Sequence, residues 1–231
     1  MKKLKLLSLL FAASALTAAC SDDDDNTGPD AEARLRVVHA SPDAPAVDVQ
    51  VDGAEVVGDA PYLSVSDYLD LPAGAHNLMV NAAGTATTVI DADVTLADDT
   101  DYTVIASGLV AAIEPIVLED DNSAPAAGNV KVRAIHGAPS APAVDIYVTA
   151  PGADLATVLP ALANVEFGDV AGYIEAPAGE YQVRVTAAGS KTVVIDSGAL
   201  ALESGQIRTA IAVDATGGGA PFDLLLLDDL N

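Results

Sequence analysis

The sequence predicts an all-β protein built from two tandem antiparallel β-sandwiches. Three observations carry the prediction. Short apolar alternations recur with turn residues every eight to twelve positions. No long stretch keeps a helical period. The 231-residue chain also repeats itself once, with a period of about 100 residues, too long for a stacked solenoid. Residues 36–48 align with 133–145 at an offset of 97, and eight of the thirteen positions are identical. Residues 81–91 align with 186–196 at an offset of 105, so the second copy carries eight extra residues, placed within 149–164.

Within each copy, strand follows strand. Leu35, Val37 and His39 share one face of the first. Val47, Val49 and Val51 alternate with Asp48, Gln50 and Asp52, the pattern of a half-buried strand, and Gly53 supplies a turn. Leu69 and Leu71 lead into the turn Pro72-Ala73-Gly74, and Leu78 and Val80 follow it. Ala82-Ala83-Gly84 turns the chain again toward Thr88, Ile90, Val94 and Leu96. A polar turn at residues 98–101 precedes Tyr102, Val104 and Ala106, and residues 116–118 close the copy. In the second copy Val144, Ile146 and Val148 repeat the alternation, and residues 224–227 close it. One helical turn is expected inside the insertion, over 154–163, capped by Asp154 and interrupted by Pro160.

Around these copies the chain divides into a signal peptide (1–19), a tether (20–33), a first domain (34–118), a linker (119–129) and a second domain (130–231). The N-terminus has Lys2, Lys3 and Lys5, then an apolar run too short to span a bilayer, as in an export signal. Its end, Leu16-Thr17-Ala18-Ala19-Cys20, resembles a bacterial lipobox, which implies an acylated Cys20 with palmitate among its chains. The sole cysteine thereby has a use without a disulfide partner. Ser21 after it resembles an outer-membrane address. Residues 21–33 are polar and acidic with Gly and Pro, a composition that lifts a folded body off a membrane.

Charge excludes some partners. The formal net charge is −24, and the only lysines beyond the signal are Lys131 and Lys191. Nucleic acid and anionic lipid surfaces require basic patches, so neither is an expected partner. Solubility, cation binding or a salty habitat all fit the acidity.

The most informative motif is HASPDAPAVD, residues 39–48, which returns as HGAPSAPAVD at 136–145. Pro42 and Pro45 recur as Pro139 and Pro142. Two prolines three apart make a stiff crossover between strands. Such a loop brings His39 toward Asp48, and His136 toward Asp145, so that the imidazole bonds either the carboxylate or loop carbonyls. The eight residues are expected to be a structural motif. A catalytic reading lacks a nucleophile: Ser41 is replaced by Ala138 in the second copy, and no G-x-S-x-G stretch occurs. A zinc reading has too few ligands, with three histidines in all and His76 aligned to Tyr181. Calcium can use carboxylates alone, yet no run fits a twelve-residue loop, since the tether has Thr27 where Gly is needed. No catalytic residue, metal ligand or cofactor is therefore assigned.

These residues, with SDYLDLPAG at 66–74, resemble the bacterial and archaeal domain-of-unknown-function family 4397 over both copies. The resemblance implies exported or cell-surface proteins, often tandem, with immunoglobulin-like or transthyretin-like sandwiches. It supplies no activity and no site residues. The expected role is a non-enzymatic envelope lipoprotein, anchored to the membrane through Cys20, that binds a surface ligand or protein, adheres or acts as a spacer. A calcium-dependent module and an envelope hydrolase using the His–Asp motif are the alternatives. Any specific contact is expected at 151–164, where the copies differ most, unless that insertion is a length variation without a role.

Overall fold

The computed structural model describes residues 31–229. The expected signal, Cys20 and most of the tether lie outside them. The first copy contributes β1 (Glu32–Ala40), β2 (Val47–Val51), β3 (Ala54–Ala60), β4 (Leu69–Pro72), β5 (Gly74–Ala82), β6 (Thr88–Leu96), β7 (Thr100–Ser107) and β8 (Glu114–Asp120). The second contributes β9 (Asn129–His136), β10 (Val144–Thr149), β11 (Leu162–Val165), β12 (Val170–Pro177), β13 (Gly179–Ala187), β14 (Val193–Leu202), β15 (Ile207–Val213) and β16 (Asp223–Asp228). The expected β-sandwich class is the observed one.

Each copy has two four-stranded sheets. In the first their orders are β3-β2-β5-β6 and β4-β1-β7-β8; in the second they are β11-β10-β13-β14 and β12-β9-β15-β16. The pairing is antiparallel except once per copy, where β1 runs parallel to β7 and β9 parallel to β15. The first strand returns to the sheet only after a long crossover, which permits the parallel neighbour. Between Asp154 and Val158 the insertion makes a short 3-10 turn, Leu155–Thr157, with the Asp154 carboxylate accepting from the Ala156 N–H. The chain then extends into β11, because Pro160 ends any helix.

Residues 31–229 form one compact unit. The sheets β4-β1-β7-β8 and β12-β9-β15-β16 pack on each other, so the copies stack four layers deep. Val38, Ala40, Ile105 and Leu118 meet Ile135, Ile211, Val213 and Leu227 in a shared apolar cluster. This explains why β1 and β7 bury both faces: Leu35 and Val37 point into the first sandwich, whereas Val38 and Ala40 point into the junction. Close approach there is tight. A methyl on Gly137, the counterpart of Ala40, would come within 2.7 Å of the Ile211 Cγ2. The element ends also differ slightly from expectation. Glu32 and Ala33 belong to β1, because they pair with Pro72 and Leu71 of β4. Glu119 and Asp120 belong to β8 and pair with Tyr102 and Asp101, so the connection between copies begins at Asp121.

Candidate functional site

The repeated loops resolve into two local fastenings. His39 and Pro45 are joined by a 3.1 Å bond from the ring Nε2 to the Pro45 carbonyl. The Ser41 N–H faces the other ring nitrogen, Nδ1, at 3.4 Å. A neutral ring protonated at Nε2 satisfies both contacts. The second copy repeats this, with His136 Nε2 3.1 Å from the Pro142 carbonyl and the Ala138 N–H 3.3 Å from Nδ1. Tyr62 stands edge-on to His39, and Phe167 stands edge-on to His136. Burial pushes the His39 pKa below its usual value, against a smaller upward pull from the Pro45 carbonyl.

Asp48 does not meet His39. Its two oxygens accept from the Asp59 N–H at 2.7 Å and the Gly84 N–H at 2.9 Å. Those bonds hold its carboxyl below the usual range. Asp145 accepts likewise from Asn164 at 2.9 Å and Gly189 at 2.8 Å. Asp59 and Asn164 both have φ near +50°, a conformation that an acceptor fixed in place helps to hold. Of the two partners left open for the imidazole, the loop carbonyl is therefore the one in contact. The prolines hold that carbonyl in place. Pro42 also offers its own carbonyl to the Gly217 N–H of the second copy at 2.7 Å. Ser41, the residue nearest a nucleophile, is wholly buried. This constellation can stiffen loops; it lacks an exposed nucleophile beside a base.

The larger polar assembly lies at the junction, and the sequence reading missed it. Arg36 donates from Nε to the Thr103 hydroxyl at 3.1 Å and from Nη2 to Asp229 of the other copy at 2.6 Å. Its Nη1 donates to the Asp228 carbonyl at 3.0 Å. Arg133 does the same in reverse: Nε to Thr209 at 3.0 Å, Nη2 to Asp120 at 2.5 Å and Nη1 to the Glu119 carbonyl at 3.3 Å. Asp120 also accepts from the Thr103 and Tyr68 hydroxyls, as Asp229 does from Thr209 and Tyr173. Each guanidinium lies over the tyrosine of its own copy, 4.7 Å from Tyr68 and 4.6 Å from Tyr173. Burial raises both tyrosines, so they remain hydroxyl donors. The exchange is reciprocal, as across a two-fold axis. Every charge is paired and hydrogen-bonded, which is the condition for burying it.

A signal for this clasp existed. Cations are scarce, yet Arg34 and Arg36 in one copy match Lys131 and Arg133 in the other, on the equivalent strands β1 and β9. At the rim, Arg34 pairs with Asp101 at 2.6 Å and Lys131 with Asp121 at 2.9 Å. Lys131 and the Ser123 hydroxyl and N–H hold the Asp121 carboxyl down at about 2.

The sequence profile described as "Domain of unknown function (DUF4397)" matches residues 33–147 and 150–231. The chain belongs to DUF4397. Both DUF4397 copies, with both clasps, fall inside the matched residues. The first match ends within β10 and the second begins just after it, whereas the sheets divide between β8 and β9. No curated protein matches the chain in sequence. Among solved structures, the chain is similar to a family 41 carbohydrate-binding module from streptococcal virulence factors, described as recognising α-glucan. Identity is 13%, the TM-score is 0.29, and the overlap covers 83% of this chain and 95% of that one. It is also similar to a family 26 carbohydrate-binding module from Eubacterium rectale in complex with maltoheptaose. There the identity is 10%, the TM-score 0.25 and the coverage 87% and 98%. Overlaps of this depth assign no ligand to the DUF4397 copies.

Proposed function

We propose that this protein is a non-enzymatic lipoprotein of the cell envelope, anchored through Cys20, most simply in the outer membrane. Its acidic tether carries a stiff two-copy body that presents its loops to a surface ligand or protein. The observation that carries the reading is the reciprocal junction. Two buried Arg–Asp pairs and a shared apolar cluster hold the copies as one body, where a flexible linker would leave two beads. A stiff body sets the distance between membrane and partner, which is what a spacer or adhesion module requires. The insertion supports a presenting role, because its Leu159 is 88% exposed.

The test is expression of the whole chain in a bacterial host supplied with an alkyne-labelled fatty acid. The wild type is expected to take up label and sediment with outer membranes. Cys20→Ala is expected to lose both. An unlabelled wild type that stays soluble would overturn the anchor.

A further inference from the structure

The two sandwich interiors are not filled alike. The strand registers equate Leu35, Val37, Leu71, Leu78 and Val104 of the first copy with Val132, Ala134, Ala176, Val183 and Ala210 of the second. Each of the five is smaller in the second copy, and together they lose nine side-chain carbons. Around them Val130 for Ala33, Ile146 for Val49 and Leu162 for Val57 are larger, and return four. Tyr102, buried in the first core, is replaced by Arg208, which turns aside to pair with Asp228.

The result is a cavity of about 180 Å³ between the sheets of the second copy, lined by all five smaller residues. Its rim includes Val148 and Ile174, which are 47% and 55% exposed, so the space reaches solvent. Close packing is the rule in protein interiors, and an apolar cavity of about 150 Å³ stays dry and takes up benzene. Tyr181 carries the one polar side-chain group in the lining, and its hydroxyl is already donated to the Pro177 carbonyl at 2.7 Å. Nothing in the lining compensates a charge, and the chain is strongly acidic.

We propose that the second copy holds a binding site for a small uncharged hydrocarbon group of about benzene size, between β9, β10, β12, β13 and β15. The lining sets the class of occupant: neutral, because the lining offers no partner to a charge, and small, because of the volume. The site does not depend on the anchor at Cys20.

The experiment uses the whole chain with methyl-labelled alanine, titrated with benzene and followed by NMR. The methyls of Ala134, Ala176 and Ala210 are expected to shift saturably, while alanine methyls of the first copy stay still. Hexanoate is expected to bind at least tenfold more weakly. The variant Ala134→Val, Ala176→Leu, Ala210→Val restores the first copy's side chains and is expected to abolish the saturable shifts. If that variant does not fold, Ala210→Val by itself decides, with weaker binding expected. The proposal is overturned by non-saturable shifts in the wild type, by equal binding of hexanoate, or by unchanged benzene affinity in the filled variant.

Discussion

The two copies share a loop and a clasp but not a core. His39 and His136 fasten their loops with the same bonds, and Arg36 and Arg133 cross the junction to equivalent aspartates. Inside the sandwiches the packing differs. Val51 is 5% exposed, and its counterpart Val148 is 47% exposed. Duplication thus preserved what needs geometry and relaxed what needs volume. A buried charge demands its partner in good hydrogen-bonding geometry, and losing that partner is costly. An apolar core tolerates change so long as the pattern survives.

The largest test breaks the shared part. Asp120→Ala and Asp229→Ala each leave an arginine buried without its carboxylate, and each is expected to cost about 3–5 kcal/mol in urea unfolding. Equal losses would show that the clasp is reciprocal in energy as well as geometry. A cost below about 1 kcal/mol in either would show that water or another group takes over.

Next come the loops. His39→Ala and His136→Ala leave loop groups unpaired, with an expected cost of about 1–3 kcal/mol each by thermal or urea melting. A lowered folded pKa means that the unfolded chain binds more protons near pH 6. Stability from His39 is therefore complete above the usual histidine value and lost as pH falls below about 6.5. His39→Gln is expected to flatten that decline.

The unequal part is sharpened by a matched pair of substitutions. Val51→Ala is expected to cost about 1.5 kcal/mol, at about 0.8 kcal/mol per buried carbon group, and Val148→Ala under about 0.5 kcal/mol. Equal costs would mean that the second core closes in solution.

The smallest effect concerns a position where the copies reach one end by different chemistry. His76 bonds the Pro72 carbonyl through Nε2 at 2.7 Å, and Tyr181 bonds the Pro177 carbonyl through its hydroxyl at 2.7 Å. Nδ1 of His76 also lies 2.7 Å from Asp52. That bond chiefly raises the His76 pKa, and Asp52 is lowered in turn, mainly by the Asn77 N–H. The pair therefore adds most stability between roughly pH 4 and 6.5, fading as pH rises through the folded histidine value. His76→Tyr is expected to keep the carbonyl bond and remove this slope, read as melting temperature against pH.

Much of this was legible in the chain. The alternation of Val47, Val49 and Val51 appears as a strand whose valines are buried and whose Asp48 and Gln50 are half-exposed. The repeat announced two like units, and Asp154 announced its cap. Strand β1 was harder to read. Its residues 35–40 mix Arg, Val and His without a wet face, because a second sheet covers the side that alternation would assign to solvent. No motif in the chain singles out Asp229. Its partner Arg36 is 193 residues away, and no local pattern links them. The cavity was invisible for a related reason: one alanine in a strand says nothing, and five smaller side chains matter only when the registers bring them together.

By itself, the sequence determined the strand class, the duplication and the stiff proline loops, since period, turn residues and fixed φ act over a few neighbouring residues. The tertiary structure decided the rest. It chose the carbonyl over Asp48 as the imidazole's partner, fused two copies through charges far apart in the chain, and left one core open. Those outcomes depend on volumes and partners that meet only when the sheets pack.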